Sequence, residues 1–402
     1  VRPLDASQLP RTCQKHGAST SRLVTSAFPG PRADVATDTF LAPLDVAGYN
    51  YAPTAFQRDH LRIPQRIFFA TETFPQLAAR NHEIAFSQPS LLGTFVWTAI
   101  DYIGEASIGY SGHESTDLLA CAEYCSAPWP YHLAATGDID IIGDLRPQAL
   151  FRQVLWDVSQ LEIAVDPFEN EVIASWGWPD ERQNWNWFNR KKPLKVRVYT
   201  KLPCVTLQLN NRSVTQDCQP VGRDQKYTAT FSVNFEPGSL VALGHAADMG
   251  VVATAVLITH DQPIRLLLKA DCVEIRASRD ELIYVAVEVV DDAGRLVACY
   301  DDPPPLRSRE DVSLLMSYPC KPPTVFFSVE GPGTLEAVGS ADPWDTASFN
   351  ARQRKMYRGR ALAILRPGAV GVPAIAGVLR LNASAEGLIS ASMIVRIVDH
   401  PN

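Results

Sequence analysis

Near Pro193 the repeat of apolar residues in this chain changes. Before it, longer apolar runs alternate with stretches of helical spacing. Leu44–Tyr51 (LDVAGYNY), Arg66–Glu72 (RIFFATE) and Leu91–Tyr102 (LLGTFVWTAIDY) have the content of strands. Between the last two, PQLAARNHEIAFSQ places Leu77, Ala78, Ile84 and Ala85 on one helix face. Strands interleaved with helices predict a parallel sheet or a barrel. GDIDIIGDLRPQALFRQVLWD (Gly137–Asp157) predicts a turn and then a helix, with Pro147 in its first turn and Leu150, Val154 and Leu155 facing inward.

After Pro193 the chain runs in short strands of period two, among them LKVRVYT, VTLQLN, KYTATFSVNF and SLVALGHA, separated by Gly, Pro, Asn and Asp. A second set begins near Asp271 with CVEIRA, LIYVAVEVV, TVFFSVEG, TLEAVGS, RALAILRP and LISASMIVRIVD. VEVVDDAGRLV carries a hairpin turn, whereas the prolines of DDPPPLRSRED exclude a regular element. The acidic residues of both stretches read as solvated loop. The pattern is that of two immunoglobulin-like β-sandwiches of roughly one hundred residues each. One chain thus holds two layer architectures, and 402 residues are too many for one ordinary domain.

A net charge of −7 with no basic stripe argues against nucleic acid as a partner, and no run is long and apolar enough for a membrane span. The chain starts at Val1 and lacks a signal-peptide pattern, which suggests a processed or excised sequence. Of eight cysteines, Cys121 and Cys125 (CAEYC) have the wrong spacing for a redox motif, and no second Cys/His pair completes a zinc site. His245 and His260 have no ligand-spaced partners. No metal and no cofactor are expected. Buried thiols and one or two disulfides both remain open. Two sequons, Asn211-Arg-Ser and Asn382-Ala-Ser, fit an extracellular or secreted protein.

The most telling chemistry lies at three strand ends. GYNYAP offers Asn50 and Tyr51, ATETFP offers Glu72, and FVWTAIDYIGEASIG offers Trp97, Asp101, Tyr102 and Glu105. RIFFATETFP is the sharpest case. Ile67, Phe68, Phe69 and Ala70 read as a strand buried on both faces, yet it ends in a carboxylate, which must be solvated, paired or used. A helix cap is the bland use. Carboxylate, amide, phenol and tryptophan face together suit a sugar, whose hydroxyls meet polar groups and whose C–H faces meet rings.

In order, DVAGYNY, the His60–Pro64 segment, TETFP and FVWTAIDYIGEASIG resemble the second half of the catalytic barrel of glycoside hydrolase family 2. The closest likeness is to its β-galactosidase-like branch. WNWFNRKKPLKVRVYT and the later VAVEVVDDAGRLV, VEGPGTLEAVGSADP and RGRALAILRP resemble that branch's post-barrel domains. The resemblance implies a multidomain α/β plus all-β protein: the C-terminal half of a (β/α)8 TIM barrel over residues 1–157, a Trp-rich linker over 158–192, and Ig-like sandwiches over 193–269 and 270–402. It implies a retaining exo-β-glycosidase acting on a β-galactoside or related oligosaccharide, with Glu72 as nucleophile and Tyr51 orienting it. Asn50 and Trp97 would bind substrate. Asp101 and Glu105 would either shape the site or pin its loop.

The family's acid/base glutamate follows an asparagine on the fourth barrel strand. Here Asn170-Glu171 follows the barrel segment and reads as solvated loop. The expectation is therefore a piece of a longer hydrolase, lacking its N-terminal half and inactive alone, because retaining cleavage needs two carboxyls about 5 Å apart. The alternative is a non-catalytic carbohydrate-binding or adhesive sandwich module. Its binding strip would be Trp176, Trp178, Trp185 and Trp187, which otherwise pack between barrel and sandwich.

Overall fold

The computed structural model describes residues 23–31, 33–113, 127, 129–167, 171–188, 190, 192–298 and 322–399. Cys13, Cys121, Cys125, Cys299, Cys320, Asn170 and the loop DDPPPLRSRED lie outside them.

The first unit is a parallel sheet of β1 (Thr25–Pro29), β2 (Val46–Asn50), β3 (Phe68–Thr73) and β4 (Leu91–Val96), paired in chain order. Helices α1 (Val35–Leu41), α2 (Ala55–Arg62) and α3 (Ala78–Ser87) make the crossovers. Asp34 caps α1 by accepting from the Thr37 amide, and Pro75 opens the turn that leads into α3. The core between helices and sheet holds Leu41, Ala47, Tyr49, Phe56, Phe68, Ala70 and Leu91. Tyr49 donates to the buried Asp59 at 2.8 Å, and Arg58 and Arg62 neutralise that carboxylate. At Gly48 any Cβ would sit 2.4 Å from the Ser26 carbonyl oxygen, so only glycine lets β2 lie this close to β1.

The reading of β3 as buried on both faces needs correction. Ile67 is 42% exposed and Phe69 half-buried, because the helices cover only one side of the sheet. On the other side Phe69 packs edge-on against Phe95, itself 56% exposed. The strand expected over Leu91–Tyr102 ends at Val96, since from Thr98 onward the backbone turns to pair with Thr136 and Ile139. On α3 the buried residues are Ala78, Ala79, Asn81 and His82, with Ile84 and Ala85 at the sheet core's margin. The difference arises because α3 faces two neighbours, the sheet and α4 (Pro147–Leu155). Pro147 opens α4, and Leu150, Val154 and Leu155 are buried as the spacing implied.

Two pairs of mainly antiparallel layers follow. In the first, Leu161–Asp166, Leu194–Thr200 and Thr228–Val233 form one sheet, and Cys204–Leu209, Ser239–His245 and Val251–Ile258 form most of the other. Leu161–Asp166 lies inside the stretch read as linker but is a strand of this unit. Its buried Asp166 obscured the pattern, and Lys195 and Arg197 from the adjacent strand pair with it. Cys204 and Cys218 form a disulfide, while Cys272 is a free thiol. The last unit encloses a core of Ile283, Val285, Val287, Leu365, Leu379, Leu381 and Ile397. Its VDDAG turn is a hairpin as expected, but Asp291 is fully buried and bonded to Arg295, not solvated. Glu171, read as loop, begins a short strand that pairs with Ser111–His113. No helix among the described residues is long and apolar enough to cross a membrane.

Candidate active site

All strands of the first sheet run the same way, so their C-terminal ends share one edge, and the loops there gather polar side chains. β2 ends at Asn50, β3 at Thr73 and β4 at Val96. Asn50 pairs with Glu72 across a register shift that sets in after Tyr49. Such an irregularity re-aims the side chains that follow it. Asn50 is buried and accepts from the Thr71 hydroxyl at 2.7 Å. The Tyr51 amide donates to the Glu72 carbonyl at 2.8 Å, and Tyr51 has a left-handed φ of +52°. A bulky residue adopts that conformation only where its surroundings hold it. Here Phe74 stacks on the phenol at 4.2 Å and Trp176 meets it edge-on at 5.6 Å.

Burial raises the pKa of Tyr51. Trp176, whose indole N–H donates to the phenol oxygen at 2.8 Å, opposes that rise, and Glu72, close enough to accept from the phenol, adds to it. The phenol therefore stays protonated and can donate to a carboxylate. Trp97 follows β4, and its amide donates to the Thr73 carbonyl at 3.0 Å, which fixes it beside the end of β3. Its ring stands edge-on to Tyr102. Tyr102 donates to Glu105 on the same loop, and its pKa is pushed up to about 12 by burial first and then by Glu105, with Glu72 contributing through its charge. Two carboxylates, Glu72 and Glu105, thus share one phenol's electrostatic surroundings.

Asp101 is placed elsewhere. It is buried, accepts from the Gly137 amide at 2.7 Å and pairs with Arg146 at 2.9 Å. These bonds pin the loop that follows Trp97. The tryptophan strip is not formed. Trp185 and Trp187 fill the first sandwich, and Trp178 sits at the seam between α3, α4 and that sandwich. Only Trp176 reaches the strand-end cluster. The sequence offered Trp176 only as part of that strip; its contact with Tyr51, like the role of Phe74, was missed because 125 residues separate Trp176 from Tyr51 and no spacing pattern joins them. Among the described residues no cluster of His, Cys, Asp and Glu could hold a metal ion.

Residues 318–394 match the family described as glycoside hydrolase family 2 C-terminal domain 5, and residues 191–252 match a domain of unknown function, DUF4982. A crystal structure of a glycosyl hydrolase family 2 member from Bacteroides cellulosilyticus superposes with a TM-score of 0.81 at 30% identity, over 98% of this chain and 48% of that one. The chain belongs to glycoside hydrolase family 2. A curated family relative, beta-galactosidase BoGH2A of Bacteroides ovatus, is 24% identical over 301 residues, or 74% of this chain and 28% of that protein. A beta-glycosidase from Bacteroides vulgatus, at 17% identity and a TM-score of 0.68, shares the fold over 99% of this chain and 50% of its own. The chain therefore spans about half the length of these two solved structures and 28% of the curated relative. Its relatives are glycoside hydrolases, and it has the mostly-β, helix-poor build of their C-terminal regions.

Proposed function

We infer that the protein carrying this chain is a retaining exo-β-glycosidase of the β-galactosidase type, cleaving a terminal β-linked sugar through a glycosyl-enzyme ester. The observation that carries this reading is the half-buried Glu72 at the C-terminal end of a parallel strand, with Tyr51 bonded to its carbonyl, Phe74 stacked on that phenol and Trp97 bonded to the neighbouring Thr73. In this proposal Glu72 attacks the anomeric carbon, and the bond to the leaving oxygen breaks as a general acid protonates it. Water then cleaves the ester. Tyr51 aims the carboxylate by hydrogen bonding. Asn50 offers its amide to a sugar hydroxyl, Trp97 its ring face to the sugar's C–H face, and Glu105 a second polar contact from the facing loop.

The parallel sheet is then the second half of a (β/α)8 barrel, and the antiparallel units are Ig-like sandwiches, the first beginning near Leu161. The half-exposed face around Phe69 and Phe95 suits a barrel interior. The acid/base carboxyl is placed on the other barrel half, so these residues alone are expected to be inactive. In the full-length protein, a 2-deoxy-2-fluoro-β-galactoside with a good leaving group should label Glu72, located by peptide mass. Glu72→Gln should abolish both labelling and turnover of an activated aryl galactoside. Labelling at another carboxylate, or turnover retained by Glu72→Gln, would overturn the reading.

A further inference from the structure

We propose that Trp176 is a positioning residue for the nucleophile, acting through Tyr51. The inference rests on the reading of Glu72 as nucleophile, and it extends the site to a segment beyond the strand-end loops. Indole nitrogen can only donate, so the 2.8 Å contact from Trp176 Nε1 to the Tyr51 hydroxyl has one direction. With that oxygen occupied as an acceptor, the phenol's own proton is free to turn toward Glu72. Without the indole, the hydroxyl could accept from other donors and rotate away.

The surroundings make this a fixed arrangement. The Trp176 ring meets Phe74 at 5.1 Å and Tyr51 at 5.6 Å, both edge-on, while Phe74 stacks on Tyr51. Three rings therefore lock one another. The backbone carrying Trp176 is tied to the nucleophile loop by Gln76, whose side-chain amide donates to the Ala174 carbonyl at 2.8 Å and the Gly177 carbonyl at 3.1 Å. Gly177 itself packs so closely that a Cβ would lie 3.0 Å from the Gly109 carbonyl oxygen, so the segment also meets the loop that follows Glu105. Phe74 and Gln76, which hold the Tyr51 ring and the Trp176 segment, thus both follow Glu72 directly in the chain.

The test is a double-mutant cycle in the full-length protein, read with an activated aryl galactoside. Trp176→Phe keeps the ring and removes the donor. It should lower kcat about tenfold with KM within about twofold, the scale of one directed hydrogen bond. Tyr51→Phe should lose at least as much, and adding Trp176→Phe to it should cost nothing further, because the indole has no hydroxyl left to orient. A purely structural role would instead give multiplied losses or a change in KM. Should Trp176→Phe fail to fold, Gln76→Met gives the second arm: it releases the Trp176 segment and should give the same kcat-only loss, again absent in the Tyr51→Phe background. Wild-type kcat in the single variants, or multiplied losses in the doubles, would overturn the proposal. Activity surviving in Glu72→Gln would instead strike the nucleophile assignment itself.

Discussion

Tyr51 is tied to Glu72 through the backbone: its amide donates to the Glu72 carbonyl at 2.8 Å, and the Glu72 carboxylate adds to the rise in the phenol's pKa. The backbone bond fixes Tyr51 beside the end of β3, where its left-handed φ of +52° sets the ring against Phe74 and Trp176. One residue thereby couples the position of β2 to the orientation of a carboxylate on β3.

Asp101 and Arg146 carry the first prediction. Asp101 is buried, and its partners are the Gly137 amide and Arg146. Asp101→Ala leaves a buried guanidinium contact and an amide unpaired, at a cost of about 2–4 kcal/mol in a denaturant melt. In the full-length protein KM for an aryl galactoside should change less than about threefold, as expected of a loop pin. A large rise in KM with unchanged stability would return Asp101 to the substrate's contacts.

The class of each region was legible because period-two and helical patterns survive in sequence: β2, β3, α4 and the sandwich strands fell where apolar spacing put them. Three kinds of feature were not. Buried ions such as Asp166 and Asp291 look like loop residues until their arginines are seen in space. The exposed side of β3 could not be inferred from RIFFATETFP, since apolar side chains do not say which layer covers them. Trp176 reaches the site across 125 residues, a distance no local pattern spans.

Asp291 makes stability depend on acid. Burial would raise its pKa, but the Asp261 amide and Arg295 overcome that and hold it at about 2. A depressed carboxyl contributes stability above its unfolded pKa of about 4 and loses it as pH falls toward 2, here about 2 kcal/mol. Urea midpoints for the wild type should fall between pH 4 and 2 more steeply than for Asp291→Asn, which is weaker at neutral pH but lacks this titration. Parallel slopes would show that the ion pair contributes nothing.

The disulfide of Cys204 and Cys218 closes a loop with a sequence separation of 14 within the first sandwich. Constraining a loop of that size in the unfolded chain stabilises by about 3 kcal/mol. Replacing both cysteines with serine should therefore lower the unfolding free energy by that order, with the effect in the transition that reports Trp185 fluorescence. Addition of a reductant to the wild type should reproduce the shift. An unchanged transition would mean that the bridge adds no constraint the fold does not already supply.

Glu181 is the strongest test of how the two architectures are joined. Its carboxylate is 1% exposed and is met by Arg197, the Tyr199 hydroxyl and, at 3.3 Å, the Trp178 indole. Tyr199 and Trp178 belong to the apolar seam shared with α3 and α4, so this one carboxylate fastens the first sandwich to the helices of the parallel unit. Glu181→Ala leaves Arg197 with Asp166 as its remaining partner and strands a buried phenol, and the expected loss is about 2–3 kcal/mol. Breaking a buried pair from one side costs more than removing it whole. The double variant Glu181→Leu with Arg197→Met should therefore recover most of the loss, with Asp166 still neutralised by Lys195. Equal melting of the single and double variants would show that packing at the seam, not the unpaired charge, sets the stability there.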